Sequence, residues 1–196
     1  MPRKKHHFTN LVAATALLGA LSSAGACGGP TGLEATEPTQ TSEVSLYALS
    51  GTPSGYPSAL SVPANQAVSI DASLQFDIAF DIDAQQRAVL YPMALIAWPR
   101  LDIHRVGMIK VTQVYDEVTR APGTGYNYGD SIIVAVGDVI IVESNDSRVC
   151  SFPFPARLYA KFVVDEIDLA ARALRFRMTQ NPNCGFRSFL AGIPSD

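Results

Sequence analysis

The segment Ser73–Asp83, with the sequence SLQFDIAFDID, constrains the fold of this chain more than any other. Its large apolar residues alternate with polar or small ones: Leu74, Phe76, Ile78, Phe80 and Ile82 against Gln75, Asp77, Ala79, Asp81 and Asp83. A period of two is typical of a β-strand with one face against a core and one face in water. We therefore expect further strands to cover the apolar face, and we expect the aspartates to form a solvated row.

The chain from Val44 onward predicts an all-β domain. Short segments rich in Val, Ile, Phe and Tyr are separated by turns rich in Gly, Pro and Asn, and no helix of normal length is expected. The clearest local pattern is a β-hairpin made of Ser131–Val136, the turn Gly137-Asp138 and Val139–Ser144, because a two-residue loop that begins with Gly suits a type II′ turn. The prediction is an antiparallel β-sandwich or barrel of about eight to ten strands.

The first 26 residues have the organisation of an export signal. Arg3, Lys4 and Lys5 precede an apolar run over Leu11–Leu21, which is shorter than the roughly 20 apolar residues of a membrane-spanning helix and typical of a signal peptide. Residues 27–43 are rich in Gly, Pro, Thr and Glu, which predicts a flexible linker. The predicted organisation is therefore a signal peptide (1–26), a linker that starts at Cys27 (27–43) and an all-β domain (44–196).

Cys27 directly follows a run of small residues, Ser22 to Ala26, which resembles the lipobox of bacterial lipoproteins. In a lipobox the cysteine becomes the lipidated first residue, which anchors a protein to a membrane without spanning it. Ala24 stands where a lipobox usually carries Leu, and the alternative is ordinary cleavage after Ala26, which would give a secreted protein. We expect an exported, lipid-anchored protein of the bacterial cell envelope, at the outer membrane or on the periplasmic side, because an unpaired cysteine here has no other use.

Cysteine usage and charge lead to two further expectations. Cys150 and Cys184 remain besides Cys27, and export favours a disulfide between them over the alternative of two buried thiols. The chain has 15 Lys and Arg and 18 Asp and Glu, so without the three basic residues of the signal the balance is 12 against 18, a net charge of −6. Nucleic acid and anionic lipid headgroups are therefore not expected as partners.

Few residues are available for catalysis. His6 and His7 belong to the predicted signal, so His104 is the only histidine of residues 27–196, and its neighbours Ile103 and Arg105 suggest a surface or loop position. Nucleophilic catalysis needs a base within reach of a Ser or Cys, and the motifs G-x-S-x-G and H-E-x-x-H are absent. No catalytic residue is predicted.

Two groups of residues are considered as binding sites. Tyr126, Asn127 and Tyr128 lie in a turn-rich segment and form a predicted binding loop for a glycan, a small ligand, a peptide or a partner protein, with the alternative that the tyrosines fold back over the end of the sandwich. The aspartate row offers oxygen ligands for Ca²⁺. Residues two apart on a strand lie about 7 Å apart, however, so no metal site is predicted there.

Several short motifs follow one another in an order that resembles the HmuY-like bacterial lipoproteins. They are Phe76–Phe80, Val114–Pro122, Gly125-Tyr126, Ile140–Glu143, Tyr159–Phe162 and Ala173–Phe176. The resemblance spans Phe76–Met178 and implies an exported all-β protein, and the best-known members of that family bind haem. Haem capture in the family relies on a pair of histidines, whereas a haem site here would pair His104 with Met93, Met108 or Met178.

The leading hypothesis is a non-enzymatic envelope protein, anchored to the membrane through Cys27, whose β domain binds an unidentified ligand or partner. This hypothesis requires no cofactor. One alternative is a haem- or metal-capturing lipoprotein that uses His104. A hydrolytic enzyme is the less favoured alternative.

Overall fold

The computed structural model of the chain describes residues 34–70, 75–96, 104–150 and 157–195. Within these residues the chain forms two antiparallel sheets of five strands each, which confirms the predicted all-β sandwich, and the sheets do not close into a barrel. The predicted signal peptide and the predicted lipidation site at Cys27 lie outside the described residues. No helix in the described ranges is both long enough and apolar enough to cross a bilayer.

Strands are numbered in chain order, and the first sheet contains the longer ones. They are β1 (Gln40–Tyr47), β6 (His104–Val111), β8 (Val139–Asp146), β9 (Leu158–Asp168) and β10 (Ala173–Asn181). In the sheet they lie in the order β1-β10-β9-β8-β6, so β1 and β6 form its two edges. Strand β1 starts four residues before the predicted domain boundary at Val44, because Gln40 already pairs with Gln180 of β10.

The second sheet is built from shorter strands. They are β2 (Ala59–Ser61), β3 (Gln66–Val68), β4 (Ile78–Ile82), β5 (Ala88–Pro92) and β7 (Ile132–Val134), in the order β3-β2-β4-β5-β7. Pro92 ends β5, and a four-residue helix, α1 (Met93–Ile96), follows directly. A single 3-10 turn at Tyr115–Glu117 completes the regular structure of the described residues.

The main core lies between the two sheets. Its largest fully buried side chains include Leu46, Phe162 and Phe176 from the first sheet and Ile78, Phe80 and Leu90 from the second. The rings of Phe162 and Phe176 lie 4.6 Å apart. Burial of each such side chain contributes roughly 1.5–3 kcal/mol relative to exposure, so these alternating apolar residues hold the two sheets face to face.

A smaller core covers the opposite face of the first sheet. Val139, Ile141, Tyr159 and Val163 of β8 and β9 pack there against Val118, Ala121 and Phe189. Strand β8 lies between β6 and β9 and is covered on both faces. Its continuous apolar run from Val139 to Val142 is typical of such a position.

In the segment around β4, the prediction is confirmed for the apolar residues and wrong for one of the polar residues. Phe76, Ile78, Phe80 and Ile82 are buried as predicted, whereas Leu74 lies outside the described residues. Asp77 is 0% exposed, so the prediction of a fully solvated aspartate row is wrong. A period of two assigns polar side chains to water only where nothing else covers them, and here other segments cover Asp77.

The predicted hairpin of Ser131–Val136 and Val139–Ser144 is also wrong. Strand β7 pairs with β5 in the second sheet, while β8 pairs with β6 and β9 in the first, so Gly137-Asp138 connects the two sheets. Gly137 does have the positive φ, +88°, that the pattern required. Its N–H donates to the carbonyl of Val164 in β9, however, which directs the chain to the other sheet.

The predicted disulfide between Cys150 and Cys184 is present. The two Cα atoms lie 5.7 Å apart, within the usual range for a disulfide. The bond joins the turn after β8 to the turn after β10. It therefore closes the same end of the sandwich at which β8 ends.

Candidate functional site

A cavity of about 330 Å³ lies between the two sheets, next to the start of β6 and the end of β8. Its polar lining comes from both sheets: Ser61, Gln75 and Asp77 from the second, and His104, Asp146 and Arg148 from the first or the turn after it. Pro63, Ala64 and Val149 supply its apolar lining. Four of these residues, Ser61, Asp77, His104 and Asp146, are buried. The cavity therefore combines buried polar groups with an exposed rim that includes Ala64 and Arg148.

Asp77 is held in place through its backbone and its side chain. Its N–H donates to the carbonyl of Leu60 over 2.8 Å, and its carbonyl accepts from the N–H of Met93 over 2.8 Å. Its Oδ2 accepts from the N–H of Val62 over 2.7 Å. Asp77 is thus held by two neighbouring segments of the second sheet, with Oδ1 of its carboxylate left for a partner from the other sheet.

That partner is His104, the first residue of β6. Its Nε2 lies 2.9 Å from Oδ1 of Asp77, and the residue is 3% exposed. The prediction that His104 occupies a surface or loop position is therefore wrong. In the sequence the histidine stands beside Arg105, which is exposed, but alternation along β6 turns the two side chains to opposite faces.

The second ring nitrogen of His104 has no partner in the described part of the chain. A carboxylate only accepts hydrogen bonds, so the contact with Asp77 assigns the proton of the neutral ring to Nε2. Nδ1 then carries a lone pair and lies 3.9 Å from Oδ2 of Asp146, which is another acceptor. Nδ1 is buried without a hydrogen bond among the described residues.

Asp146 is bound by Arg148 from the following turn. Nε of Arg148 lies 2.9 Å from Oδ1, and Nη2 lies 2.7 Å from Oδ2. Burial is the largest single influence and raises the pKa of Asp146, but the hydrogen bonds from Arg148 oppose it, and the combined effect of the surroundings holds that pKa below the ordinary value of an aspartate. Asp146 is therefore ionised at neutral pH.

The predicted binding loop lies on the opposite face of the first sheet and does not line the cavity. The hydroxyl of Tyr126 donates to the carbonyl of Pro122 over 3.0 Å, and its ring lies 6.3 Å from that of Tyr159. Asn127 is exposed, and its backbone pairs with Met108 of β6. Both tyrosines are partly buried and pack against this face of the sheet, and a binding role for the loop stays a prediction.

The side chain of Tyr128 contacts a buried carboxylate. Its hydroxyl bonds to Oε1 of Glu143, while Tyr159 and Arg157 bond to Oε2 at 3.1 Å and 3.0 Å. Burial and the neighbouring Glu143 raise the pKa of Tyr128 to about 12. Because Glu143 is 0% exposed and bonds to three side chains, this cluster fixes the loop to the sheet.

Haem ligation by His104 and a methionine finds no geometric support in the described residues. Met93, Met108 and Met178 are each at most 1% exposed in the main core, and none of them lines the cavity. Nε2 of His104 is already bonded to Asp77. The described ranges also contain no group of three or more His, Cys, Asp or Glu residues arranged to hold a metal ion. Haem or metal capture stays a prediction.

Three of the four ionisable residues in the described cavity lining were missed by sequence reasoning. Asp77 was assigned to a wet strand face, and Asp146 and Arg148 were not singled out. The only sequence pattern that concerns Asp146 is the change, within β8, from the apolar run Val139–Val142 to polar residues. Such a change marks the end of a covered strand but does not identify the residue of another sheet that it will contact.

Comparisons of the chain with protein-family models, with curated protein sequences and with solved structures found no match. The resemblance to HmuY-like lipoproteins therefore stays a prediction, and conclusions about function rest on the geometry of the cavity.

Proposed function

We propose that this chain is an exported, lipid-anchored envelope protein whose β domain binds a small ligand in the cavity around His104. The observation that carries the proposal is the convergence of Asp77, His104 and Asp146, from both sheets, on one cavity. Its volume of about 330 Å³ lies at the lower end of the range for small-molecule sites. A buried, partly unsatisfied polar group in such a cavity favours a ligand over a purely structural role.

Binding without catalysis is supported by the arrangement of Ser61, the one hydroxyl residue in the described lining. Its hydroxyl accepts a long hydrogen bond of 3.4 Å from the N–H of Ala64. Activation of a serine requires a hydrogen bond to a base, and the described contacts of His104 include none to Ser61. The cavity therefore offers groups that hold a ligand, without an activated nucleophile.

The ligand site can be tested by blocking the cavity. Ala64 is an exposed residue of the lining, so Ala64→Trp should fill the entrance, whereas Ala171→Trp adds the same ring to an exposed turn between β9 and β10. A thermal-shift screen of small polar compounds should find ligands that stabilise the wild type and Ala171→Trp but not Ala64→Trp. A screen with no hits, or hits that Ala64→Trp retains, would contradict the proposal.

Export and anchoring rest on residues 1–27, and they need a separate experiment. The apolar run Leu11–Leu21 and the small residues before Cys27 support cleavage and lipidation at this cysteine. Mass spectrometry of the protein recovered from bacterial membranes should find an N-terminal Cys27 with a diacylglyceryl mass. The variant Cys27→Ser should leave the membrane fraction, and cleavage at another position would exclude the anchor.

A further inference from the structure

We propose that the cavity takes a ligand with a protonated primary amine, whose N–H groups donate to Nδ1 of His104 and to Oδ2 of Asp146. This inference rests on the proposed function and names the chemical class of the ligand. It follows from three features of the cavity: the tautomer of His104, the spacing of two acceptors, and the net charge of the lining.

The tautomer makes Nδ1 of His104 an acceptor. Nε2 bonds to the carboxylate of Asp77 at 2.9 Å and must carry the proton, so neutral His104 presents a lone pair at Nδ1. His104 is 3% exposed, and Nδ1 has no partner within the described residues. A buried acceptor without a donor costs about 1–3 kcal/mol, and a ligand that donates to it recovers that energy.

The spacing of the acceptors requires a donor with at least two hydrogens. Nδ1 of His104 and Oδ2 of Asp146 lie 3.9 Å apart, too far for a hydrogen bond with each other. A single atom between them can lie at about 2.9 Å from both. An ammonium nitrogen has three hydrogens and can donate to both acceptors at once, whereas an alcohol has one hydrogen and a carboxylate has none.

Charge selects an ammonium group over a neutral amine or amide. Among the described lining residues, the carboxylates of Asp77 and Asp146 face one guanidinium, that of Arg148, and we propose that His104 is present as the neutral ring. Nε and Nη2 of Arg148 both bond to Asp146, so the charge of the guanidinium is already paired with that carboxylate. An uncompensated charge in a largely buried site is costly, and one positive charge on the ligand restores neutrality.

The test uses three probes of equal length on the purified full-length chain: n-propylammonium, 1-propanol and propionate, at neutral pH and low salt. Isothermal titration should give an affinity for n-propylammonium about tenfold or more above that for 1-propanol, as expected for hydrogen bonds to a charged group. Tetramethylammonium has the same charge and no N–H, and it should also bind about tenfold more weakly. Equal binding of 1-propanol or of tetramethylammonium would overturn the inference.

Matched variants connect the binding to the site. Asp146→Asn should weaken the binding of n-propylammonium by about tenfold. Asp165→Asn makes the same change of charge in an exposed pair with Arg177 and should leave the affinity unchanged. If Asp146→Asn does not fold by circular dichroism, the four probes on the wild type still decide the question. An Asp146→Asn protein that folds and binds n-propylammonium as tightly as the wild type would overturn the inference.

Failure of this inference can be told apart from failure of the proposed function. If 1-propanol or propionate binds more tightly than n-propylammonium, and Ala64→Trp abolishes that binding, the cavity is a ligand site and only the ligand class is wrong. If n-propylammonium does not bind but the thermal-shift screen finds a ligand that depends on Ala64, this inference alone fails. If the screen also finds no such ligand, both proposals fail.

Discussion

The imidazole of His104 bonds to the carboxylate of Asp77 across the sandwich, with 2.9 Å between Nε2 and Oδ1 and both side chains 1% exposed. His104 belongs to β6, the edge strand of the first sheet, and Asp77 directly precedes β4 of the second. The bond is therefore a buried polar connection between two sheets whose shared core is apolar.

Removal of the Asp77 carboxylate should destabilise the domain strongly. Asp77→Ala leaves the imidazole of His104 and the N–H of Val62 buried without their acceptor, and breaking a buried pair costs about 3–5 kcal/mol. Urea unfolding measures the change. Asp165→Ala is the control, because it removes an exposed carboxylate paired with Arg177 and should cost at most about 1 kcal/mol. Equal losses in the two variants would show that the buried bond contributes no more to stability than an exposed ion pair.

A methyl group at Gly107 should displace the loop that carries Tyr126 and Tyr128. A Cβ at this position would lie 2.7 Å from Cε1 of Tyr128 and 2.8 Å from Cβ of Tyr126. Overpacking of this kind costs about 1–3 kcal/mol, so Gly107→Ala should lower the free energy of unfolding by that amount. Gly129→Ala is the matched control, because nothing lies within 4 Å of its Cβ position. A loss no larger than that of Gly129→Ala would contradict the close packing of this loop.

Alkaline pH should weaken the fold through Tyr128. Burial and Glu143 raise its pKa from 10.0 to about 12, so the folded state holds the phenol proton more tightly than the unfolded chain does. The resulting stabilisation is complete below pH 10 and is lost as the pH rises from 10 towards 12. Unfolding free energies measured from pH 8 to 12 should therefore fall less steeply in Tyr128→Phe than in the wild type, and identical slopes would refute this assignment.

Loss of the disulfide should lower stability without changing the fold. Cys150 and Cys184 are separated by 34 residues, and the chain-entropy model gives about 3–4 kcal/mol for closure of a loop of this length. The double variant Cys150→Ser and Cys184→Ser should unfold at lower urea concentration by a corresponding amount. Wild-type protein treated with a reductant serves as the control and should match the double variant, whereas full wild-type stability after complete reduction would contradict the prediction.

Local patterns predicted those features that depend on neighbouring residues. The alternation of Phe76, Ile78, Phe80 and Ile82 identified side chains that do lie in the core, and the apolar run of β8 identified a strand covered on both faces. The positive φ of Gly137 was also predicted correctly. The hairpin around it was not, because two apolar strands joined by a tight turn can pair with each other or enter different sheets, and only the competing partners β5 and β9 decide between these outcomes.

The cavity was not predictable in the same way. Asp77, His104 and Asp146 are separated by 27 and 42 residues along the chain, and each stands among neighbours that suggest a solvent-exposed position. Tyr126 and Tyr128, which their turn-rich segment favoured as a binding surface, instead pack against Tyr159 and Glu143. A turn-rich segment indicates where the chain leaves a strand but does not determine what the loop then covers.

The sequence by itself determined the class of the fold, the residues of the apolar core and the pairing of Cys150 with Cys184. Strand periodicity depends only on neighbouring residues, and the number of cysteines can be counted without knowing the fold. Only the tertiary structure decided which strands share a sheet and which polar residues become buried. Those outcomes depend on contacts between distant segments, such as that of His104 with Asp77. A buried polar residue and an exposed one look alike in sequence, and the difference between them lies in the partner that the fold supplies.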